Sequence, residues 1–256
     1  MDLGGNVALI TGGASGIGYA LAEAFLQAGS TVAICGRRQA RLAEAQASHP
    51  QLLTRVCDVS SESDRQALAA WAAERLPGLN VLVNNAGVQR DIDFTRGIDD
   101  FRAGENEIRV NLEATVVMCG LFIPQLARNK GAAIINVSSG LGFVPAAAMP
   151  VYSASKAGVH AFSMALRRQL SGLGVKVFEV VPPAVDTELN PVGRARRGGF
   201  KAGLDAKTFA AAVMAGLAAD RVEIGYGMSA GFITASRAEL DERFERMNGQ
   251  WSAPES

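Results

Sequence analysis

Six short apolar runs constrain this chain more than any other feature: Val7 to Ile10, Thr31 to Cys35, Leu52 to Cys57, Asn80 to Val83, Ala133 to Val137 and Val175 to Val181. Most do not alternate apolar with polar residues. A strand with one face in water alternates. A strand covered on both faces does not, and that pattern belongs to a parallel sheet. Between the runs lie segments rich in Ala, Leu, Glu, Arg and Gln with helical spacing, among them Ile17 to Gln27, Gln39 to Ala47, Glu62 to Arg75 and Ser155 to Leu170. Strand and helix in alternation predict right-handed βαβ units and an α/β fold, a doubly wound parallel sheet with helices on both faces.

The first run leads into Thr11-Gly12-Gly13-Ala14-Ser15-Gly16-Ile17-Gly18 and then a helix. Glycines let a backbone turn tightly and approach a pyrophosphate closely. The helix that follows presents free N–H groups and a positive dipole end. A glycine cluster between a first strand and a first helix therefore predicts a dinucleotide site on a Rossmann-type sheet, with Gly12, Ser15, Gly16, Ile17 and Gly18 in contact. The spacing is Gly-x-x-x-Gly-x-Gly rather than the commoner Gly-x-Gly-x-x-Gly.

After the second strand, enzymes that use NAD place an acid for the adenosine ribose. This chain reads Cys35-Gly36-Arg37-Arg38, and no Asp or Glu occurs between Glu23 and Glu44. A carboxylate there would repel a 2′-phosphate, whereas a guanidinium bonds it through two N–H groups. Arg37 is the better placed, with Arg38 beside it. The expected cofactor is NADP(H), with NAD(H) as the alternative.

Tyr152 and Lys156 are four residues apart. On a helix that spacing puts both side chains on one face. A free tyrosine titrates near ~10. A lysine ammonium ~5 Å away, at an effective dielectric of ~20, favours phenolate by roughly 3 kcal/mol, or about 2 pKa units. The expectation is a tyrosine brought towards the working range of a general acid–base.

Taken in order, Thr11 to Gly18, Asp58-Val59, Asn84-Asn85-Ala86-Gly87, Asn111, Ser138-Ser139, and Tyr152 with Lys156 resemble the short-chain dehydrogenase/reductase family over nearly the whole chain. The resemblance implies hydride transfer between a nicotinamide cofactor and a carbonyl or alcohol carbon. It implies Tyr152 as general acid–base and Ser139, thirteen residues earlier, as the hydroxyl that bonds the reacting oxygen. Ser138 competes for that role. Lys156 would also bond the nicotinamide ribose, and Asn111 would hold a water in a proton relay from Lys156. Asp58 and Val59 would flank the adenine. Asn85, Ala86 and Gly87 would leave room for ribose and nicotinamide, and Pro182, Val185 and Thr187 would complete the cofactor contacts. Three runs, Ile34 to Arg37, Leu79 to Gly87 and Pro182 to Asn190, are similar to a narrower DltE-like branch, encoded with D-alanylation genes in Gram-positive bacteria.

Two departures stand out. The family's Pro-Gly after the sixth strand is here Pro182-Pro183, and the usual Asp-Gly-Gly ending is replaced by Glu223 to Ser229 and a charged helical tail. The missing ending points to a homodimer, paired through the helices near Asn111 and Tyr152, with a tetramer as alternative. Pro182 to Asp205 is a long segment with Arg194, Arg196, Arg197 and Lys201, and 183–205 reads as a substrate lid. Those basic residues either clamp an anionic substrate or the cofactor phosphate, or stay solvated. Leu141, Phe143, Val144 and Met149 either wall an apolar pocket or pack beneath the lid.

The rest of the sequence narrows the class. With 256 residues and no linker or composition break, the chain reads as one domain, 1–256. Lys and Arg number 25, as do Asp and Glu. Nothing in that balance calls for nucleic acid or an anionic membrane. No run approaches the ~20 apolar residues of a membrane span, and no basic start precedes the first apolar run, so the expected compartment is cytoplasmic. Cys35, Cys57 and Cys119 read as small buried hydrophobes. His160 reads as a packed or interface residue and His49 as a surface one. Neither has metal-ligand company in sequence, so no metal is expected. Two other functions share some of these features. A sugar-nucleotide epimerase carries the same Tyr–Lys pair with a longer substrate domain. A non-catalytic NADP(H)-binding sensor would keep the fold alone.

Overall fold

A computed structural model of the chain describes residues 1–196 and 203–251. Seven strands form one parallel sheet in the order β3-β2-β1-β4-β5-β6-β7: β1 Val7–Thr11, β2 Thr31–Gly36, β3 Leu53–Val56, β4 Val81–Asn84, β5 Ala133–Val137, β6 Lys176–Val181 and β7 Glu223–Gly225. The absence of alternation has its cause in the packing. Ala8 and Ile10 of β1 face one core with Phe25, Phe209 and Leu217, while Leu9 faces the other with Leu68, Met118 and Phe122. Both sheet faces are dry, so the central strands are apolar at most positions, and polar exceptions such as Asn84, Asn136 and Glu179 are themselves buried.

The helices follow in order: α1 Gly16–Gln27, α2 Gln39–Ser48, α3 Glu62–Arg75, α4 Asp99–Arg102, α5 Ala114–Leu126, α6 Pro150–Gln169, α7 Pro191–Arg196, α8 Ala206–Ala218, α9 Met228–Ile233 and α10 Arg237–Asn248. α3 has the predicted bounds, with Ser61 accepting the Asp64 N–H as its cap. α6 begins five residues earlier than the spacing predicts, because Pro150 occupies its first turn, where a missing N–H costs nothing. β7 has no apolar run to announce it: only Ile224 of its three residues is buried.

β1 pairs with both β2 and β4. The chain reverses its winding direction there, and in such sheets the crevice outside the strand ends at that point takes ligands. The β1–α1 turn, the ends of β4 and β5 and the first turn of α6 all lie on this edge. The segment after β6 returns to the body through Val185, which bridges Leu204. Asp186 N–H donates to the Leu204 carbonyl at 2.9 Å. Arg197 and Lys201, and the side chains of Arg194 and Arg196, lie outside the described residues.

Candidate active site

The β1–α1 turn has the shape its glycines predict. Gly12 and Gly16 sit at φ +62° and +55°, the left-handed region that glycine adopts freely. A Cβ on Gly18 would lie 2.4 Å from Asn85 Nδ2 and 2.5 Å from the Gly12 carbonyl oxygen. α1 thus presses directly on the turn. Ser15 precedes α1 in extended backbone but makes no side-chain cap. The first turn of α1 is thus left without a side-chain cap at the positive end of the helix. Thr187 packs on this turn, since a Cβ on Gly16 would meet its methyl at 2.9 Å.

The arginines after β2 lie beside the turn. Arg38 Nη2 donates to Ser15 Oγ at 3.0 Å. Arg37 is paired with Glu105. Arg38 reaches Glu188 at 2.8 Å.

At the end of β3, Asp58 accepts from the N–H and the hydroxyl of Ser60 at 2.9 and 2.7 Å, and Val59 is buried. The two asparagines ending β4 divide their work. Asn84 is buried and donates to Asn136 Oδ1 at 2.9 Å. Asn85 Nδ2 donates to the carbonyls of Thr11 and Gly12 at 2.9 and 3.2 Å. Thr11 Oγ1 accepts from the N–H groups of Asn85 and Ala86, each at 3.0 Å. The Asn85 side chain therefore braces the glycine turn, and Ala86 and Gly87 form the surface beside it. A Cβ on Gly87 would lie 3.6 Å from Lys156 Nζ. The glycine thus borders that ammonium on the β4 side.

Ser139, Tyr152 and Lys156 come together. Ser139 precedes a tight turn at the end of β5, and its Oγ accepts the Leu141 N–H at 3.1 Å. Its hydroxyl also lies beside the Tyr152 phenol and favours the phenolate. Ser138 is occupied elsewhere: its hydroxyl donates to Glu179 Oε1 at 2.5 Å. Of the two serines, Ser139 is the one that acts on the tyrosine. Lys156 Nζ stands 5.8 Å from the Tyr152 ring centre and donates to the Val137 carbonyl at 2.8 Å. Asn111 lies in a π-helical stretch, Ile108–Glu113, that leads into α5. Such a bulge widens a helix and recurs at functional sites. The Asn111 side chain accepts from Val88 N–H at 2.8 Å and donates to Val88 O and Ser155 Oγ at 2.9 and 3.0 Å. It ties the π stretch to α6 and to the loop after β4.

The electrostatics correct one expectation. The Lys156 charge was to lower the tyrosine. Burial instead pushes the Tyr152 phenol up to about 12, against the Ser139 hydroxyl, with the Glu107 carboxylate adding to the rise. Burial also pushes the Lys156 ammonium down to about 8. Stripping water from both groups outweighs their attraction across the gap. In this state the phenol is a neutral proton donor at physiological pH.

Two acidic residues escaped sequence reasoning. Glu107 is fully buried. Its Oε1 accepts the Arg90 N–H at 3.0 Å, and its Oε2 has no hydrogen bond, with Arg90 Nε 3.9 Å away. Burial raises its carboxyl to about 7. Glu179, in the middle of β6, is likewise fully buried. It accepts from Ser138 on one oxygen and lies 2.7 Å from His160 Nδ1 on the other. Glu223 stands next to it in the β6–β7 register. His160 thus has carboxylate company that its sequence neighbours did not show, and its ring lies tilted against Phe143, with ring centres 4.4 Å apart. The Leu141–Met149 stretch is accordingly split, with Phe143 on His160 and Val144 in the core. His49 is also paired, 3.2 Å from Glu23.

The Glu179 hydrogen bond raises the His160 pKa, and Glu223 adds to the rise while Arg167 and burial oppose it. A histidine raised on folding adds stability that is complete below its unfolded pKa of ~6.5 and fades as pH rises through the folded value. His160→Asn is therefore expected to lower Tm more at about pH 5.5 than at about pH 9. Thermal melts at the two pH values check this.

The comparisons with known proteins agree with the geometry. The family model for short chain dehydrogenase matches residues 6–197. The chain belongs to the short-chain dehydrogenase/reductase family and is an oxidoreductase of that type. Within it, the chain is 44% identical over 250 residues to an uncharacterized oxidoreductase, DltE, of Bacillus subtilis (strain 168), covering 98% of this chain and 99% of that one. It is 32% identical over 195 residues to an uncharacterized oxidoreductase of Staphylococcus saprophyticus, covering 74% and 82%. Among solved structures, a short chain dehydrogenase from Burkholderia cenocepacia in complex with NADP superposes with a TM-score of 0.80 at 30% identity, covering 95% of this chain and 99% of that one. Among the described residues, no helix is long and apolar enough to cross a membrane.

Proposed function

We propose that the protein is an NADP(H)-dependent carbonyl reductase, or in reverse an alcohol dehydrogenase, with Tyr152 as its general acid–base. The observation that carries this reading is the junction of Ser139, Tyr152 and Lys156 beyond the ends of β4 and β5, where Lys156 Nζ bonds the Val137 carbonyl and borders Gly87. The similar Burkholderia cenocepacia enzyme was solved with NADP, and this chain's own residues fit that cofactor. The turn has no room for a Cβ at Gly18, α1 has an uncapped start, and arginines that already hold carboxylates follow β2.

When bound, the reduced nicotinamide supplies a hydride to the carbonyl carbon. The protein's part is the oxygen. Ser139 and Tyr152 lie side by side and both bond the substrate oxygen. Tyr152 gives its proton as the alkoxide forms, and Ser139 stabilises the growing charge. Lys156, with its ammonium buried between Val137 and Gly87, offsets the charge left on Tyr152 and faces the cofactor ribose. Asn111 fixes the π stretch and completes the proton path behind Lys156. Arg37 and Arg38 select the 2′-phosphate. Gly12, Ser15, Gly16, Ile17, Gly18 and Thr187 hold the pyrophosphate; Asp58 and Val59 flank the adenine; Ala86, Gly87, Pro182 and Val185 surround the ribose and nicotinamide.

We also read the chain as one domain whose 183–205 segment covers the substrate, as a cytoplasmic protein, and as a homodimer. Ile108, Val116 and Met164, on the π stretch, α5 and α6, are large apolar residues left exposed, and pairing these helices covers them. A fluorescence titration tests the cofactor reading. The expectation is NADPH at least about tenfold tighter than NADH, equal to about 1.4 kcal/mol of phosphate contact. NADH bound equally well would overturn it.

A further inference from the structure

The arginines beyond β2 are held by the protein's own carboxylates. Glu188 receives two of them on separate oxygens: Arg38 Nη1 donates to Oε2 at 2.8 Å and Arg41 Nη2 donates to Oε1. Arg41 also reaches Glu44 at 3.0 Å. We propose that Glu188 is an internal anion that competes with the 2′-phosphate of NADP(H) for Arg38 and Arg41. Arg41 then belongs to the phosphate site, and cofactor discrimination is set by Glu188 as well as by the arginines. This rests on the NADP(H) reading above.

Three observations support it. An anion held on both oxygens by two guanidinium groups has the contacts an oxyanion ligand would take. The place is also right. Arg38 touches Ser15 in the glycine turn, and Glu188 directly follows Thr187, which packs on Gly16, so the arginine pair and the pyrophosphate turn form one continuous patch. Finally, the competitor is displaceable. Both ion pairs are about half exposed: 55% for Arg38, 42% for Arg41 and 48% for Glu188. Pairs of this kind contribute little in water. A phosphate monoester carries about −1.5 to −2 charge and three acceptor oxygens, against one charge and two oxygens for Glu188. If Glu188 leaves, two ion pairs are broken. If it stays, it repels the phosphate. Either way its charge weakens NADPH, and it has no phosphate to oppose in NADH.

The competition also links the cofactor to the segment after β6. Glu188 is carried on that segment, so the phosphate that displaces it also breaks that segment's ion pairs to Arg38 and Arg41. NADH, without that phosphate, leaves the contact in place.

Calorimetry of the full-length protein with NADPH, NADH, 2′,5′-ADP and 5′-AMP tests this. Glu188→Gln is expected to tighten NADPH and 2′,5′-ADP by about three- to tenfold and to leave NADH and 5′-AMP within about twofold. Glu242→Gln removes the same charge from an exposed pair with Arg246 on α10, and is expected to change none of the four. In an Arg38→Ala/Arg41→Ala background, Glu188→Gln is expected to gain less than in wild type, because only the repulsion and not the competition for the arginines is then relieved. Wild type that prefers NADPH, with no gain in Glu188→Gln, overturns the competition and leaves the cofactor reading standing. Wild type without preference that gains one in Glu188→Gln supports the competition and corrects the native preference. No preference in either protein overturns both.

Discussion

Tyr152→Phe is expected to lower turnover by about 10³-fold or more while leaving NADPH affinity within about threefold. The change removes one oxygen. The ring stays buried, so the pocket keeps its shape and the cofactor its walls. What goes is the proton donor, and the Ser139 hydroxyl beside it cannot replace it, because a serine hydroxyl is a far weaker acid. The loss therefore falls on kcat. Any carbonyl compound turned over by wild type serves as the probe, with NADPH binding followed by fluorescence. Full activity in this variant would assign the proton to another group.

Lys156→Met is expected to reduce activity by at least about 10²-fold and yet to raise stability near neutral pH. Burial holds the Lys156 ammonium down to about 8 from an ordinary 10.5. Below that pH the lysine is charged in both folded and unfolded chains, and the buried charge costs the folded state on the order of 3 kcal/mol. The cost disappears as pH rises from the folded to the unfolded value, because the folded lysine loses its proton first. Methionine fills a similar volume without charge but gives up the bond to Val137 O. A net gain of about 1–3 kcal/mol at pH ~7 follows, shrinking towards zero by pH ~10. Thermal melts across that range check it. A site that lowers stability in this way is the usual mark of function.

Much of the fold was legible because its causes are local. A strand dry on both faces is apolar at most positions, so the six runs predicted six strands; the helical spacing of Glu62 to Arg75 marked out α3. The order of the site residues was legible too, through the glycine turn and the Tyr152–Lys156 spacing. What the sequence hid lies in pairings across the chain. Glu179 sits inside an apolar run; only the packing of α6 on β6 brings it His160, and only the pairing of β5 with β6 brings it Ser138. Glu188 lies 150 residues from Arg38, and no spacing rule links them. The start of α6 was hidden by Pro150, which reads as a loop residue as readily as a first-turn one. The direction of the Tyr152 shift failed for a physical reason. The attraction of Lys156 was counted and the burial of both groups was not.

The measurement that reaches the central claim most directly is transfer of label. The protein is incubated with NADPH deuterated at C4 on either face and a panel of aliphatic and aromatic aldehydes and ketones, and the alcohols are read by mass spectrometry. The account predicts deuterium on the carbinol carbon from one face of the cofactor with wild type, and none above background with Tyr152→Phe. Folded wild-type protein that binds NADPH and transfers no label to any carbonyl, or a Tyr152→Phe variant that transfers as well as wild type, would contradict it.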